Sequence, residues 1–445
     1  MTTEVAVMNR SAVALAADSA STIATEQGLK VYDSVNKLFE LIKGRPVGVM
    51  IYNASDIAHR PWETVIKTYR EDRCHMQFGT LDEYVNDLLD YMAGQRKLFS
   101  EDQQGSAFLL NCLRTSTELR SRIDFVIRGG FARRTDLTEG RIRRIVKAQI
   151  DAFKAQVDEW APGPWADQLN ERRLRQQHGS TIDSAINAVF QKLPMSDGTR
   201  TALKLALLRR FLRYDDGDTN YSGVVIAGFG QDEFYPKLRE FRVKGLINDV
   251  LMAKDGARED IDFTRPAYVD SFAQGDMVRS FTVGIQDRVR GEMIHFWEEW
   301  LSKAESRAEE MVSRVLPQLE DSEAKQLGAA LGSLTSQGFS DFLSHMQGFE
   351  NREVKGELLQ SLAHLPKDEM GAMAESLVNL TTLKRRVSLR DAQTVGGAVD
   401  VAVVSRGDGF VWLKRKHYFD RTLNPTWAAL HAGRSPKTEA VNQDG

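Results

Sequence analysis

Thr2-Thr-Glu-Val-Ala-Val-Met-Asn-Arg-Ser-Ala-Val-Ala-Leu-Ala-Ala-Asp18, near the start of the chain, carries most of the evidence for its architecture. Residues 4–8 and 12–17 are two short apolar runs, and Asn9-Arg-Ser11 between them has turn chemistry, so the chain starts as a β-hairpin. A second strand pair follows at 35–41 and 47–52, turned by Lys43-Gly-Arg-Pro46. Apolar residues at three- and four-residue spacing then predict helices over 57–69 and 81–92. Strand character returns at 223–228 and 234–243, while Pro236 and Pro266 punctuate loops. Ile285, Val289, Met293, Phe296 and Trp300 have the rhythm of a helix with a buried face, which predicts core or subunit interface for Phe296, Trp297 and Trp300. A last helix starts near Pro366 and runs through Met370, Met373, Leu377 and Leu380. Two closing strands, 399–405 and 409–414, turn at Arg406-Gly-Asp408.

Strands and helices are thus segregated in blocks and do not alternate as β-α-β units. This predicts an α+β fold, a four-layer α-β-β-α sandwich of two antiparallel sheets with helices outside. One domain, 2–433, is expected in three pieces (2–95, 221–301 and 365–433). The polar helical stretches 96–220 and 302–364 read as insertions, and the tail 434–445 as disordered.

Composition narrows the function. The chain has 445 residues, 42% hydrophobic and 27% charged, with net charge -3. That is room for one large core or two ordinary domains, without the overall basicity expected of a nucleic-acid or anionic-membrane binder. The basic run from Arg120 to Lys147 reads as a solvated helix face and not as a nucleic-acid site. No stretch approaches a membrane span. Glu4 and Arg10 interrupt the first residues, which do not read as a signal peptide. Two isolated cysteines, Cys74 and Cys112, fit a reducing, cytoplasmic setting. The eight histidines are scattered without HExxH or CxxC spacing, so no metal or organic cofactor is expected.

The chemistry points to the start of the chain. Met followed by a small residue is the context for loss of the initiator methionine, which makes Thr2 the first residue of the mature chain. A threonine hydroxyl needs a base, and a free α-amine on the same residue can act as one because its pKa of about 7.7–8 lies near working pH. A lysine ammonium nearby favours the alkoxide, and a carboxylate is then needed to hold that lysine. Asp18, ending the second strand, is placed beside the terminus if the hairpin folds back. Lys37 lies at the start of the next pair, in Ser34-Val-Asn-Lys-Leu-Phe-Glu40.

These three pieces together (2–7, 13–18 and 35–40) resemble the start of proteasome β subunits and their bacterial relatives, which are N-terminal-nucleophile hydrolases. Thr2 falls on the family's nucleophile, Asp18 on its aspartate and Lys37 on its lysine, with the Asp18–Lys37 interval a few residues longer than usual. Val224-Val-Ile-Ala-Gly-Phe-Gly230 resembles the family's central strand, and Val395-Gly-Gly-Ala-Val-Asp-Val-Ala-Val-Val404 its Gly-Gly strand. In pieces, the resemblance covers about half the chain. Departures are visible. The turn before Gly396-Gly397 offers Asp391 and Thr394 in place of the usual Asp and Ser. Gln274, in Ala273-Gln-Gly-Asp276, stands where a Ser is typical, and Tyr52 or Asn53 where the oxyanion-hole glycine is; a backbone N–H serves there whatever the side chain.

The resemblance implies a threonine-type hydrolase that cleaves amide bonds, peptide bonds first among them, through an acyl-enzyme on Thr2. It also implies a homo-oligomer, leaves open whether an ATPase partner exists, and needs no cofactor. An amidohydrolase of small molecules and an inactive assembly subunit are the rivals.

Overall fold

The computed structural model describes residues 2–25, 28–132, 138–318, 320–388, 396–420 and 422–426. It contains two compact units. The first comprises Met1–Leu38, Phe234–Pro236 and Asp260–Ala428, and the second is built from Phe39–Glu233 and Lys237–Glu259. The mixed composition of antiparallel sheets and helices expected from the sequence is present in both.

In the first unit, Thr3–Asn9 and Ala12–Ala17 form the opening hairpin, paired so that Glu4 faces Ala17 and Met8 faces Val13. The Asn9 carboxamide makes the turn. Its Oδ1 accepts from the Ser11 N–H at 2.9 Å and the Ala12 N–H at 3.3 Å, the local bonding that favours Asn there. Ala267–Ala273 adds to one side of the hairpin, and Asp400–Ser405 then Gly409–Lys414 to the other, all antiparallel. Both hairpin strands are buried along their whole length, which is why residues 5–8 and 12–17 read as unbroken apolar runs. One face carries Val5, Val7, Ala12, Ala14 and Ala16 against Met370, Ala374, Leu377 and Val378 of the helix Lys367–Val387. Alanines on that face keep the sheet surface low, so the helix can sit close. Pro366 precedes the first helical residue, where its missing N–H costs nothing.

In the second unit, Ser222–Gly228 is the fully buried central strand between Val47–Asn53 and Lys237–Ile247, with Val250–Asp260 and Leu38–Glu40 outermost. The helices Trp62–Asp72 and Leu81–Gly94 cover this sheet with Trp62, Ile66, Tyr69, Tyr84, Leu88 and Met92. Thr80 and Glu83 close a capping box at the start of the second helix. Between 96 and 220, four helices build a separate apolar core around Phe108, Ile123, Ile150, Ile186 and Leu207. Among the described residues no helix is long and apolar enough to cross a membrane.

Several elements differ from the sequence reading. The predicted buried face at 285–300 is a helix, Asp287–Leu301, but none of its residues is buried, and Phe296 is 60% exposed. Trp297 stacks on Phe339 of the neighbouring helix Asp321–Phe349 with centroids 5.6 Å apart. The aromatic cluster is therefore a half-covered surface and not core. Periodicity marks an apolar face but not what lies against it. The strand expected at 35–41 is short, Leu38–Glu40, and an unforeseen hairpin, Ser21–Thr25 with Gly28–Tyr32, precedes it. The strand Val250–Asp260 was hidden by its charge (Lys254, Asp255, Arg258, Glu259), which suits an outermost strand. The expected tail at 434–445 lies outside the described residues.

Candidate active site

The hairpin brings its two ends together, and the site is built there within the first unit. Asp18 follows the last paired residue of the second strand, so its backbone returns over the start of the first. The Asp18 N–H donates to the Thr3 carbonyl at 3.1 Å, and the Thr3 N–H donates to Asp18 Oδ1 at 3.2 Å. Asp18 Oδ2 accepts from the Gly396 N–H at 3.0 Å. That segment is tied to Ser19 as well, through the Ser19 N–H to the Gly396 carbonyl at 3.2 Å and the Ser19 hydroxyl to the Ala398 carbonyl. Gly397 explains the glycine requirement. Its φ is +77°, and a Cβ would lie 2.7 Å from the Asp33 carbonyl and 3.1 Å from Ser19 Cβ, closer than a side chain can be placed.

Lys37 reaches this carboxylate from the next segment. Its Nζ donates to Asp18 Oδ1 at 2.5 Å and lies 3.7 Å from Glu4 Oε1, with all three side chains buried. The Val35 N–H to the Ser19 carbonyl, 3.1 Å, holds the Lys37 segment against the hairpin. The Ser21–Tyr32 excursion takes up the long interval between Asp18 and Lys37.

Thr2 precedes the first strand residue. Strand alternation puts Thr2 and Glu4 on one face, opposite Val5 and Val7 on the face beneath the helix. The Thr2 hydroxyl donates to Glu4 Oε2 at 3.1 Å. Gln274 meets Thr2 through its backbone, its N–H donating to the Thr2 carbonyl at 3.1 Å, while Arg385 donates to the Gln274 side-chain oxygen. Gln274 thus stands beside Thr2 through its backbone, with its side chain engaged by Arg385. Thr2 is 3% exposed.

Glu4 is the residue that sequence reasoning passed over. It is completely buried, and burial is the main cause that pushes its carboxyl up to about 8. Lys37 opposes that shift, Asp18 adds to it, and the Thr2 hydroxyl and the chain's amino-terminal charge oppose it more weakly. The signal was available: a glutamate inside an apolar strand, two residues from the proposed nucleophile and therefore on its face.

No protein family description matches the chain, and no curated protein sequence matches it. Among solved structures it is similar to "Anbu (Gly-1) mutant from Hyphomicrobium sp. strain MC1" over 97% of this chain and 96% of that one, at 10% identity and a TM-score of 0.27. A likeness that slight carries no argument about what the chain does, and the functional reading rests on the site itself.

The remaining predicted residues divide. Asp391 and Thr394 lie outside the described residues. Tyr52 and Asn53 end a strand of the second unit. The Tyr52 hydroxyl donates to Glu240 Oε1, which with burial holds the phenol well above its ordinary value, and Asn53 Nδ2 donates to the Thr219 carbonyl at 3.0 Å. Asn53 has a φ of +69°, a backbone conformation asparagine tolerates better than most residues. Among the described residues no group of three or more His, Cys, Asp or Glu side chains is arranged to hold a metal ion.

Proposed function

We propose that the protein is a threonine-type N-terminal-nucleophile hydrolase that cleaves amide bonds, peptide bonds first among them, through an acyl-enzyme on Thr2. With this goes the four-layer sandwich expected from the order of its elements. The single observation that carries the reading is a continuous buried polar chain at the start of the polypeptide: Thr2 hydroxyl, Glu4, Lys37, Asp18. Hydroxyl, ammonium and carboxylates packed into an apolar sheet cost stability unless they are paired, and they are the parts that acyl transfer by a threonine needs.

In the reaction, Thr2 Oγ attacks the amide carbonyl carbon and its proton leaves to a base in the site. The carbon–nitrogen bond breaks, the amine leaves with a proton, and water hydrolyses the Thr2 ester. Lys37 favours the alkoxide by its charge. Asp18, bonded to Lys37 and to the Thr3 and Gly396 amides, fixes where that charge sits. The oxyanion would be met by a backbone N–H.

The test is direct. The purified protein is weighed intact and exposed to a β-lactone, and the adduct is mapped by mass spectrometry. The reading expects loss of one methionine and one adduct on Thr2, absent in Thr2→Ala. Retention of Met1 on protein that turns over substrate, or no adduct on a folded, processed chain, would remove Thr2 as nucleophile and favour an assembly role.

A further inference from the structure

We propose that Glu4, and not the Thr2 α-amine, is the group that takes the proton from the Thr2 hydroxyl; this inference rests on the Thr2 reading above. The geometry is specific. The Thr2 hydroxyl already donates to Glu4 Oε2 at 3.1 Å, within the range a general base needs. Two carboxylates share this site with one ammonium, and their surroundings separate their tasks. Asp18 is fully engaged: Oδ1 accepts from Lys37 at 2.5 Å and from the Thr3 N–H, and Oδ2 from the Gly396 N–H. Among the described residues Glu4 has no backbone partner of this kind, and its Oε1 makes no hydrogen bond. Oε1 lies 3.7 Å from Lys37, and Oε2 holds the Thr2 hydroxyl. When neighbouring carboxyls are held so differently, the less anchored one is where a proton comes and goes. Burial, which raises the Glu4 carboxyl toward neutrality, suits it to that task.

A structural role would not need this residue. A threonine or glutamine could hold the hydroxyl without burying a charge at the start of a core strand. The charged and titratable groups facing Glu4 are Lys37 and Asp18, with the Thr2 hydroxyl and the chain's amino-terminal charge. Lys37 steadies the ionised form of Glu4, so the base is present as pH rises through its range.

The step balances without any co-reactant. As the bond from Thr2 Oγ to the carbonyl carbon forms, the hydroxyl proton moves to Glu4 Oε2, and the carbonyl π pair goes onto oxygen. Collapse of that oxyanion expels the amine, which takes the proton back from Glu4. Water then repeats the sequence on the ester, with Glu4 again the acceptor.

The experiment is the β-lactone acylation rate of wild type and Glu4→Gln as a function of pH, from about 6 to 10, with thermal melts of each. Glutamine keeps the shape and can still accept the hydroxyl bond, but it cannot take a proton. We expect a loss on the order of 10²- to 10⁴-fold and disappearance of the rate increase that wild type shows on the way to a plateau. A Glu4→Gln rate within threefold of wild type, with the same pH rise, would assign the proton to the α-amine and overturn the proposal while leaving Thr2 as nucleophile. Absence of the Thr2 adduct in wild type would instead bring down the reading on which both stand. If Glu4→Gln melts early, Glu4→Asp serves. It keeps the charge but draws the carboxylate one methylene back from Thr2 Oγ, so a rate tenfold or more below wild type is expected, and an unchanged rate counts against a direct proton transfer.

Discussion

Replacing Glu4 by Gln should change stability in a way that depends on pH, and the sign and size follow from its surroundings. The carboxyl rises from 4.5 to about 8 in the folded protein, chiefly through burial. A carboxyl whose folded value is raised holds its proton more tightly folded than unfolded. Between those two values the unfolded chain has released the proton and the native one has not. Stability is therefore full below about pH 4.5, falls as pH rises and levels off above about 8. At about 1.4 kcal/mol per unit, the fall attributable to Glu4 is at most about 5 kcal/mol, and hydration of the opened site would reduce it to a few. Gln has no proton to lose. The variant should match wild type near pH 5 and exceed it by roughly 2–5 kcal/mol near pH 9. Urea denaturation of both proteins at several pH values across this range measures the difference. A gap between the two proteins that stays constant from pH 5 to pH 9 would mean that Glu4 ionises alike in the folded and unfolded states, contrary to this expectation.

Two other perturbations act on neighbouring parts of the same network. Lys37→Ala should lower β-lactone acylation by about 10²- to 10⁴-fold, and Lys37→Arg should not restore it, because a planar fork cannot replace a compact ammonium 2.5 Å from Asp18; equal rates in all three would free Lys37 of any role. Gly397→Ala forces a Cβ to within 2.7 Å of the Asp33 carbonyl at a φ of +77°. It should destabilise by about 1–3 kcal/mol and slow acylation as well, since the adjacent Gly396 amide holds Asp18; melts and labelling read the two effects, and a normal melt would show that the loop relaxes freely.

Much of the fold was legible because short-range chemistry decides it. The opening hairpin, the helix Leu81–Gly94 and the closing strands were read within a few residues of where they stand, since an Asn turn, a capping box and a Pro before a helix act locally. The return of the hairpin placed Asp18 beside the start of the chain, whereas Lys37 was singled out by the family resemblance and not by its spacing; the structure brings the two side chains together. What stayed hidden depends on neighbours far along the chain. Val250–Asp260 forms a strand because Lys237–Ile247 offers an edge to pair with; its charges alone spoke against one. The Asp287–Leu301 helix has the pattern of a buried face, yet what covers a face is decided by packing, and here nothing among the described residues buries any of its residues.

Glu4 shows the division most clearly. Its side of the strand follows from the sequence, because alternation is a property of the backbone. Its chemistry comes from packing. The Gly396 amide, 378 residues from Asp18 along the chain, engages the second oxygen of that carboxylate and leaves Glu4 as the carboxyl facing the Thr2 hydroxyl. A carboxyl's proton affinity is set by solvent exclusion and by the charges within a few ångströms, and these are fixed by which distant segments pack together.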